Sequence, residues 1–567
     1  MSNALIPEPV TSELAPFRVG PVSHPAADAL NPPGRAISVA AIIAVAAPVI
    51  LTIIDIAFRT GAAWNNTNFI QGDTLAPFSL LDLFYHHQPV DLSRQPWLLP
   101  YLLSLILRVV DGHLGYGALF GAYGVTTALA ASLCVPCVFV IARRFVGRFE
   151  ALIPALLLSA NTSFFIASVY PNPTQLYALC VTLVTLLLLY LDRRPTLFAA
   201  AAMLTAALGV LIRWEGALPL AMVTVYLAAK MRRGKVPIAA GIATYLGVAV
   251  LLVLALIFQF TNSSTPFAFL HNTNAVPASA VTQWSIGHVA DLLVQSLSWK
   301  FEKISALSLN LTIFGVILAG IGAVEAAECR SVVLFAVIYW IGYEAVMFVF
   351  TLLQPITSDY YLLFHEQLNT VPASRYYEVL TPALVVLGYL GARRVFALTS
   401  QLGLFRAVLA IALVALYVLH QVTVTRTTYV SQYWSYARQG LIADFVAAAE
   451  FFRRHDIHDT DIAMAKANGT ELEYVDMMPS GVPSYALHTF HFSILSGHNR
   501  TNCTGYNLDN PNLFCSVLAK SKIVALDALP LGGRVDYLLL LRPWPDTPPL
   551  GFQRVWEGDL FQVLQRK

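Results

Sequence analysis

The sequence predicts a polytopic α-helical membrane protein of about eleven transmembrane helices, with a small extracytoplasmic α/β domain at its C-terminus. Three observations carry this reading. Of 567 residues, 57% are hydrophobic and 12% are charged, and the mean hydropathy is +0.63; soluble domains usually carry roughly 25% charged residues. Apolar runs of about 20 residues, the length that crosses a hydrocarbon layer of roughly 30 Å, recur between residues 36 and 424. Beyond 424 the pattern changes to one amphipathic stretch and several short strand-like runs.

Residues 1–35 are Pro-rich, polar and mixed in charge, without the short apolar core and small-residue cleavage site of a signal peptide. They read as a disordered cytoplasmic tail. The first span follows at 36–57, and a polar loop, 58–116, interrupts the apolar sequence. Within that loop PWLLPYLLSLILRVVDG is too short for a confident span and reads as an interfacial helix. Further spans are expected at about 117–142, 149–169, 174–191, 196–212, 217–230, 237–260, 310–327, 331–353, 377–392 and 404–424.

Basic residues set the orientation. Arg143, Arg144 and Arg148, Arg193 and Arg194, Lys230 to Lys235, Arg330, and Arg393 with Arg394 fall in alternate loops, which the positive-inside rule makes cytoplasmic. The N-terminus is then inside a plasma membrane, in bacteria the inner one. Loop 58–116, the segments 261–309 and 354–376, and the domain 425–567 face outward. In that domain ARQGLIADFVAAAEFFRRHD has helical spacing, and DIAMA, VDYLLLL and LFQVLQ read as strands.

Six cysteines occur. Cys134 and Cys137 form a CxxC inside an apolar run and, lacking a second ligand pair, read as packing residues, as do Cys180 and Cys329. Cys503 and Cys515 lie in the outward domain and are disulfide candidates. Histidine pairs His455/His458 and His488/His491 lack further metal ligands and read as surface or packing residues. The net charge of +2 says little about partners, because in a membrane protein the distribution of Lys and Arg carries the information, and no nucleic-acid footprint is visible.

Polar groups at the outward ends of the spans carry the candidate chemistry. A carboxylate at a bilayer centre costs roughly 2.5–3.5 kcal/mol on insertion scales, so Asp55, at the end of span one, is expected at the water boundary or held in place by function. Asp73 in QGDTLAP, and Asp82 and His86 in LLDLFYHH, follow in the loop. Arg213 and Glu215 sit in GVLIRWEGALPL, where an unpaired charge in an apolar setting is costly. Asn172 lies in the outer turn SVYPNPTQL, and Arg375 and Tyr376 open ASRYYEVLTPAL, where a guanidinium fork suits a lipid phosphate.

The order of these features is a resemblance. An Asp after span one, a GDxLxP segment, an interfacial helix after QPW, a span ending ARRFVGR, an outer RWEG and a late SRYYEVLTP resemble the GT-C superfamily of membrane glycosyltransferases, over roughly residues 36–395. The similarity is greatest to the protein mannosyltransferase and lipid A aminoarabinose transferase group. It implies a sugar donor carried on polyprenyl phosphate, a lipid, glycan or protein acceptor, contact with membrane lipids, and a transmembrane catalytic domain over 36–424. Asp55 or Asp73 would be the base, with Arg213, Glu215, Arg375, Tyr376, Asn172 and His86 binding phosphate and sugar. Asp55 is followed by Ile56 where the family often has a second acid, so both acids stay in play. No cofactor is required by the pattern, although the loop acids suit a divalent metal ion. Two competing readings are a transporter or flippase of lipid-linked substrates, and a non-catalytic membrane assembly protein.

Overall fold

The computed structural model describes residues 39–65, 72–87, 90, 92, 96–169, 172–263, 318–324, 326, 379–398, 408, 411–412, 415, 419, 447–448, 451–452, 454–455, 457, 462–468, 471–476, 522–525, 536–541, 548, 551–558 and 561–567. The chain divides after Ala46, so that Val39–Ala46 belongs to one unit and everything from Ala47 to the other. Eleven helices are described here: α1 Val39–Asn65, α2 Gly72–Tyr85, α3 Leu98–Val110, α4 Tyr116–Ala142, α5 Leu152–Ser159, α6 Thr162–Ser168, α7 Thr174–Leu189, α8 Pro195–Ile212, α9 Ala217–Arg232, α10 Ile238–Thr261 and α11 Thr381–Leu398. Among the described residues four helices are long and apolar enough to cross a membrane, within α1, α4, α8 and α10; α3 and α7 are shorter apolar helices. The expected spans at 331–353 and most of 310–327 and 404–424 lie outside the described residues.

Burial follows the side-chain pattern. α1 exposes Val49, Ile50, Ile53, Ile54 and Phe58 and buries Pro48, Asp55, Arg59 and Ala63, a helical stripe at the spacing that puts i and i+4 on one face. α7 is buried along most of its length, between α4 and α8. α8 packs in turn on α9 and α10, and α11 on α4 and α5. Cys134 and Cys180 are buried in this core, and with Cys137 they are free thiols.

Two ends of the bundle can be told apart. At one, the Tyr190 hydroxyl donates to the Val140 carbonyl over 3.1 Å, and Glu150 accepts from Tyr389 at 2.9 Å and from Arg393 at 3.0 Å. Arg143, Arg144, Arg148 and Arg193 belong to this end. At the other, Leu92 N–H donates to the Asn262 carbonyl and Gln259 to the Leu92 carbonyl. Trp97 packs on Phe258 at 4.5 Å and on Tyr101 at 5.8 Å, fastening the segment before α3 to the end of α10.

One expected span is not continuous. Residues 149–169 form two short helices, α5 and α6, broken at Ala160–Asn161. Hydropathy cannot see this break. Asn161 makes it, because its side-chain oxygen accepts from the Phe164 N–H at 3.0 Å and so starts a new helix. The first helix also outruns its expected end at 57, continuing to Asn65.

The C-terminal part contains a six-stranded sheet, β1 Ile462–Asn468, β2 Glu471–Asp476, β3 Lys522–Ala525, β4 Tyr537–Leu541, β5 Phe552–Glu557 and β6 Phe561–Arg566, in the order β3-β2-β1-β4-β6-β5. β1 and β4 pair in parallel and all other neighbours antiparallel. β1, β4 and β6 are the three runs expected from the sequence. β2 (ELEYVD) was obscured by its charges, and β3 and β5 by their turn-rich surroundings. Residues 561–564 of β6 are all buried, as in a strand covered on both faces. On one face Phe561, Val563 and Leu539 join Phe452 and Ala448 and pack against Phe78, Leu81, Tyr85, Leu99, Leu103, Leu119 and Phe120. The sheet domain thus rests on α2, α3 and the start of α4. Phe561→Ala is expected to destabilise this contact by about 3–5 kcal/mol, measured as a lower thermal midpoint and faster release of the C-terminal domain by protease.

Candidate functional site

The RWEG segment folds as a tight corner. α8 ends at Ile212, Arg213 turns to extended backbone, and one 3-10 turn, Trp214–Gly216, leads into α9. The corner closes on itself: a Cβ on Gly216 would run into the Gly209 carbonyl carbon and the Val210 nitrogen. Only glycine allows that approach. Gly216→Ala is therefore expected to open the corner and cost a few kcal/mol, on the order of other overpacked sites, visible as a lowered thermal midpoint.

This corner aims two charges at each other. Arg213 Nη2 lies 2.6 Å from Glu215 Oε1 and Nε lies 3.2 Å from Oε2, a bidentate pair. Arg213 Nη1 also donates to the Thr174 hydroxyl. Thr174 begins α7 and is held in turn by Asn172, whose side-chain oxygen accepts its N–H at 2.8 Å and its hydroxyl at 2.6 Å. Asn172 thus reaches Arg213 through Thr174, uniting two of the expected site turns. The pair is partly open, with side chains 15% and 29% exposed. Tyr123 on α4, which sequence reasoning missed, is fully buried, feels the charge of Arg213, and has a hydroxyl without a hydrogen-bond partner among the described residues. No sequence signal singles it out from other buried tyrosines.

Asp55 is differently placed. Its side chain is 4% exposed and paired with Arg59 Nε at 2.7 Å. The Ser159 hydroxyl donates to its other oxygen. Arg59 is wholly buried and uses every nitrogen: Nη1 donates to the Phe164 carbonyl at 3.1 Å and to the Ser168 hydroxyl at 2.8 Å, and Nη2 to the Ser159 carbonyl at 3.0 Å. Its guanidinium also lies over the Phe164 and Phe165 rings. The i, i+4 spacing of Asp55 and Arg59 on one helix was the available sequence signal.

The other expected site residues separate. Asp73 lies in the first turn of α2 and His86 just past its last, so their backbones are ~20 Å apart at 1.5 Å per residue. His86 Nε2 is 3.5 Å from Asp82 Oδ1, with its ring edge-on to Tyr85. His455 is exposed, with its ring tilted against Phe451 at 4.3 Å between centroids. Arg375, Tyr376, Cys503 and Cys515 lie outside the described residues. Among the described residues no three His, Cys, Asp or Glu gather as metal ligands.

No protein-family model and no curated protein matches the sequence. Solved structures do match. ArnT from Cupriavidus metallidurans bound to undecaprenyl phosphate shares 13% identity at a TM-score of 0.46, over 92% of this chain and 97% of that one. The apo state of the same protein gives 16% and 0.40, over 73% and 72%. The archaeal oligosaccharyltransferase AglB from Archaeoglobus fulgidus, in complex with an inhibitory peptide and a dolichol-phosphate, gives 14% and 0.39, over 67% and 55%. At TM-scores below 0.5 these likenesses assign no residue and no chemistry.

Proposed function

We propose that this protein is an integral membrane glycosyltransferase that moves a sugar from a polyprenyl-phosphate donor to an acceptor hydroxyl at the outer membrane face. The observation that carries the reading is the Arg213–Glu215 pair, partly open and braced through Thr174 and Asn172 at one end of an apolar bundle. Among the described residues of the helical part, the Asp55–Arg59 pair is sealed and the Glu150–Arg393 pair lies at the opposite end of the bundle, beside Arg143, Arg144 and Arg148. Arg213–Glu215 is the partly open pair at the end expected to face outward.

The chemistry suits such a group. In transfer, the bond from the sugar's anomeric carbon to the phosphate oxygen breaks and a bond to the acceptor oxygen forms. The acceptor's proton passes to a base. The phosphate changes from a diester with one negative charge to a monoester with two, so charge develops on it in the transition state. A fixed guanidinium then stabilises the transition state more than the ground state. Arg213 is assigned to that phosphate, Glu215 and Asn172 to holding it in place, and Asp73 to the proton. Arg375, Tyr376 and His86 are assigned to donor binding on the resemblance alone. No step requires a divalent ion. The donor lipid would lie against the exposed apolar helix faces, and the acceptor would arrive from the aqueous side.

The transporter reading anticipates ionisable groups inside a span, and Asp55 with Arg59 meets that. Four of the five N–H donors of Arg59 are nonetheless bound to protein acceptors and the side chain is wholly buried, which leaves no approach for a passing cargo. Binding separates the readings from a passive role. Polyprenyl phosphate should raise the thermal midpoint of the detergent-solubilised full-length protein, and polyprenol without phosphate should not; equal effects of the two lipids would overturn the assignment.

A further inference from the structure

We infer that Asp55 is a positioning residue that acts with Arg59 to hold the broken helix α5–α6, and so the phosphate-binding corner, rather than the base that takes the acceptor proton. The inference rests on the glycosyl-transfer reading above for what is positioned, and on geometry for the rest.

A base needs an oxygen that can reach the acceptor. Both oxygens of Asp55 are engaged, one by Arg59 Nε at 2.7 Å and the other by the Ser159 hydroxyl. The residue is also ten positions before the end of α1 at Asn65, ~15 Å along the helix axis at 1.5 Å per residue.

What the pair does instead is visible at the break. The helix stops at Ser159, so the Ser159 carbonyl loses the partner a continuing helix would give it. Arg59 Nη2 supplies one at 3.0 Å, and Nη1 reaches over α6 to the Phe164 carbonyl and the Ser168 hydroxyl. One guanidinium spans both halves of the break, and Asp55 neutralises and orients it. Thr127 of α4 adds a bond to the Ser168 carbonyl. Four residues beyond Ser168 stands Asn172, which fixes Thr174 and through it Arg213. The pair therefore sets the end of α6, from which the chain leads into the corner.

The test uses full-length protein with three changes, reading thermal midpoint and the donor KM and kcat. Removing one partner of a buried pair leaves an uncompensated charge, whereas replacing both with apolar groups of similar size is often neutral. Asp55→Leu should lower the midpoint sharply, and Asp55→Leu with Arg59→Met should recover most of it. The recovered double variant should lose rate as far as the corner carrying Arg213 shifts, and should keep the acid limb of the wild-type pH–rate profile because the base remains. Asp55→Asn, which still offers an oxygen to Arg59, should keep kcat within about tenfold. A folded Asp55→Asn with kcat reduced 100-fold or more, or a recovered double variant that has lost the acid limb of the profile, would make Asp55 the base and overturn the inference. If the double variant fails to fold, Asp55→Asn decides alone. Wild-type protein inactive on every donor would sink the glycosyl-transfer reading; the thermal midpoints would then decide the pair, with no recovery in the double variant overturning its helix-holding role.

Discussion

Arg213→Met should lower sugar transfer by about two to three orders of magnitude, the cost of removing one preorganised group from a developing negative charge. Methionine keeps the length and apolar stem while deleting the charge, so the corner loses its bidentate partner but not its packing. The loss should appear mainly in kcat, since the second phosphate charge exists only in the transition state and product. Arg213→Lys should recover part of the rate and not all, because an ammonium cannot hold Glu215 through two nitrogens while also meeting Thr174. Comparable losses are not expected from Arg193, which lies at the opposite end of the bundle with its guanidinium over Tyr190. The measurement is steady-state kinetics on purified protein, with thermal midpoints to show that each variant is folded.

Asp73→Asn should abolish most of the remaining chemistry. A positioned general base contributes typically 10²–10⁴-fold, and the amide is the same size but cannot accept a proton at neutral pH. Asp73 stands in the first turn of α2, where the helix dipole favours a carboxylate, and its helix is pinned by α3, α4 and the sheet domain. The variant should bind polyprenyl phosphate as wild type does and fail in transfer. An active Asp73→Asn would move the proton to another group.

How much of this could be read from sequence differs residue by residue. The helical membrane architecture follows from hydropathy, which is a sum over many residues and so tolerates local errors. The RWEG corner was legible because a charge pair two residues apart in an apolar setting has few alternatives to pairing. Asp55 was legible as unusual but not as satisfied: its partners on α5 lie about a hundred residues away, and only the fold brings Ser159 to it. Arg59 was overlooked because a basic residue near the end of a span ordinarily reads as a snorkelling side chain. The break at Asn161 was invisible because one polar residue barely changes an average over twenty. In the C-terminal domain, strands β1, β4 and β6 showed themselves by short, mostly apolar runs, whereas β2, with charges at Glu471, Glu473 and Asp476, did not. The packing of the sheet on α2 and α3 was beyond sequence reasoning, since it joins residues more than 350 positions apart, as Tyr85 and Phe452 are.

The most direct test of the central claim is incubation of the purified full-length protein with a panel of polyprenyl-phosphate sugars and hydroxyl acceptors, followed by mass spectrometry of the lipid. Wild-type protein should convert at least one donor to free polyprenyl phosphate with matching gain of sugar by the acceptor or water, and Arg213→Met should leave that donor almost unchanged. Conversion at the same rate by wild type and Arg213→Met, or donors left intact by a folded wild type across the whole panel, would contradict it.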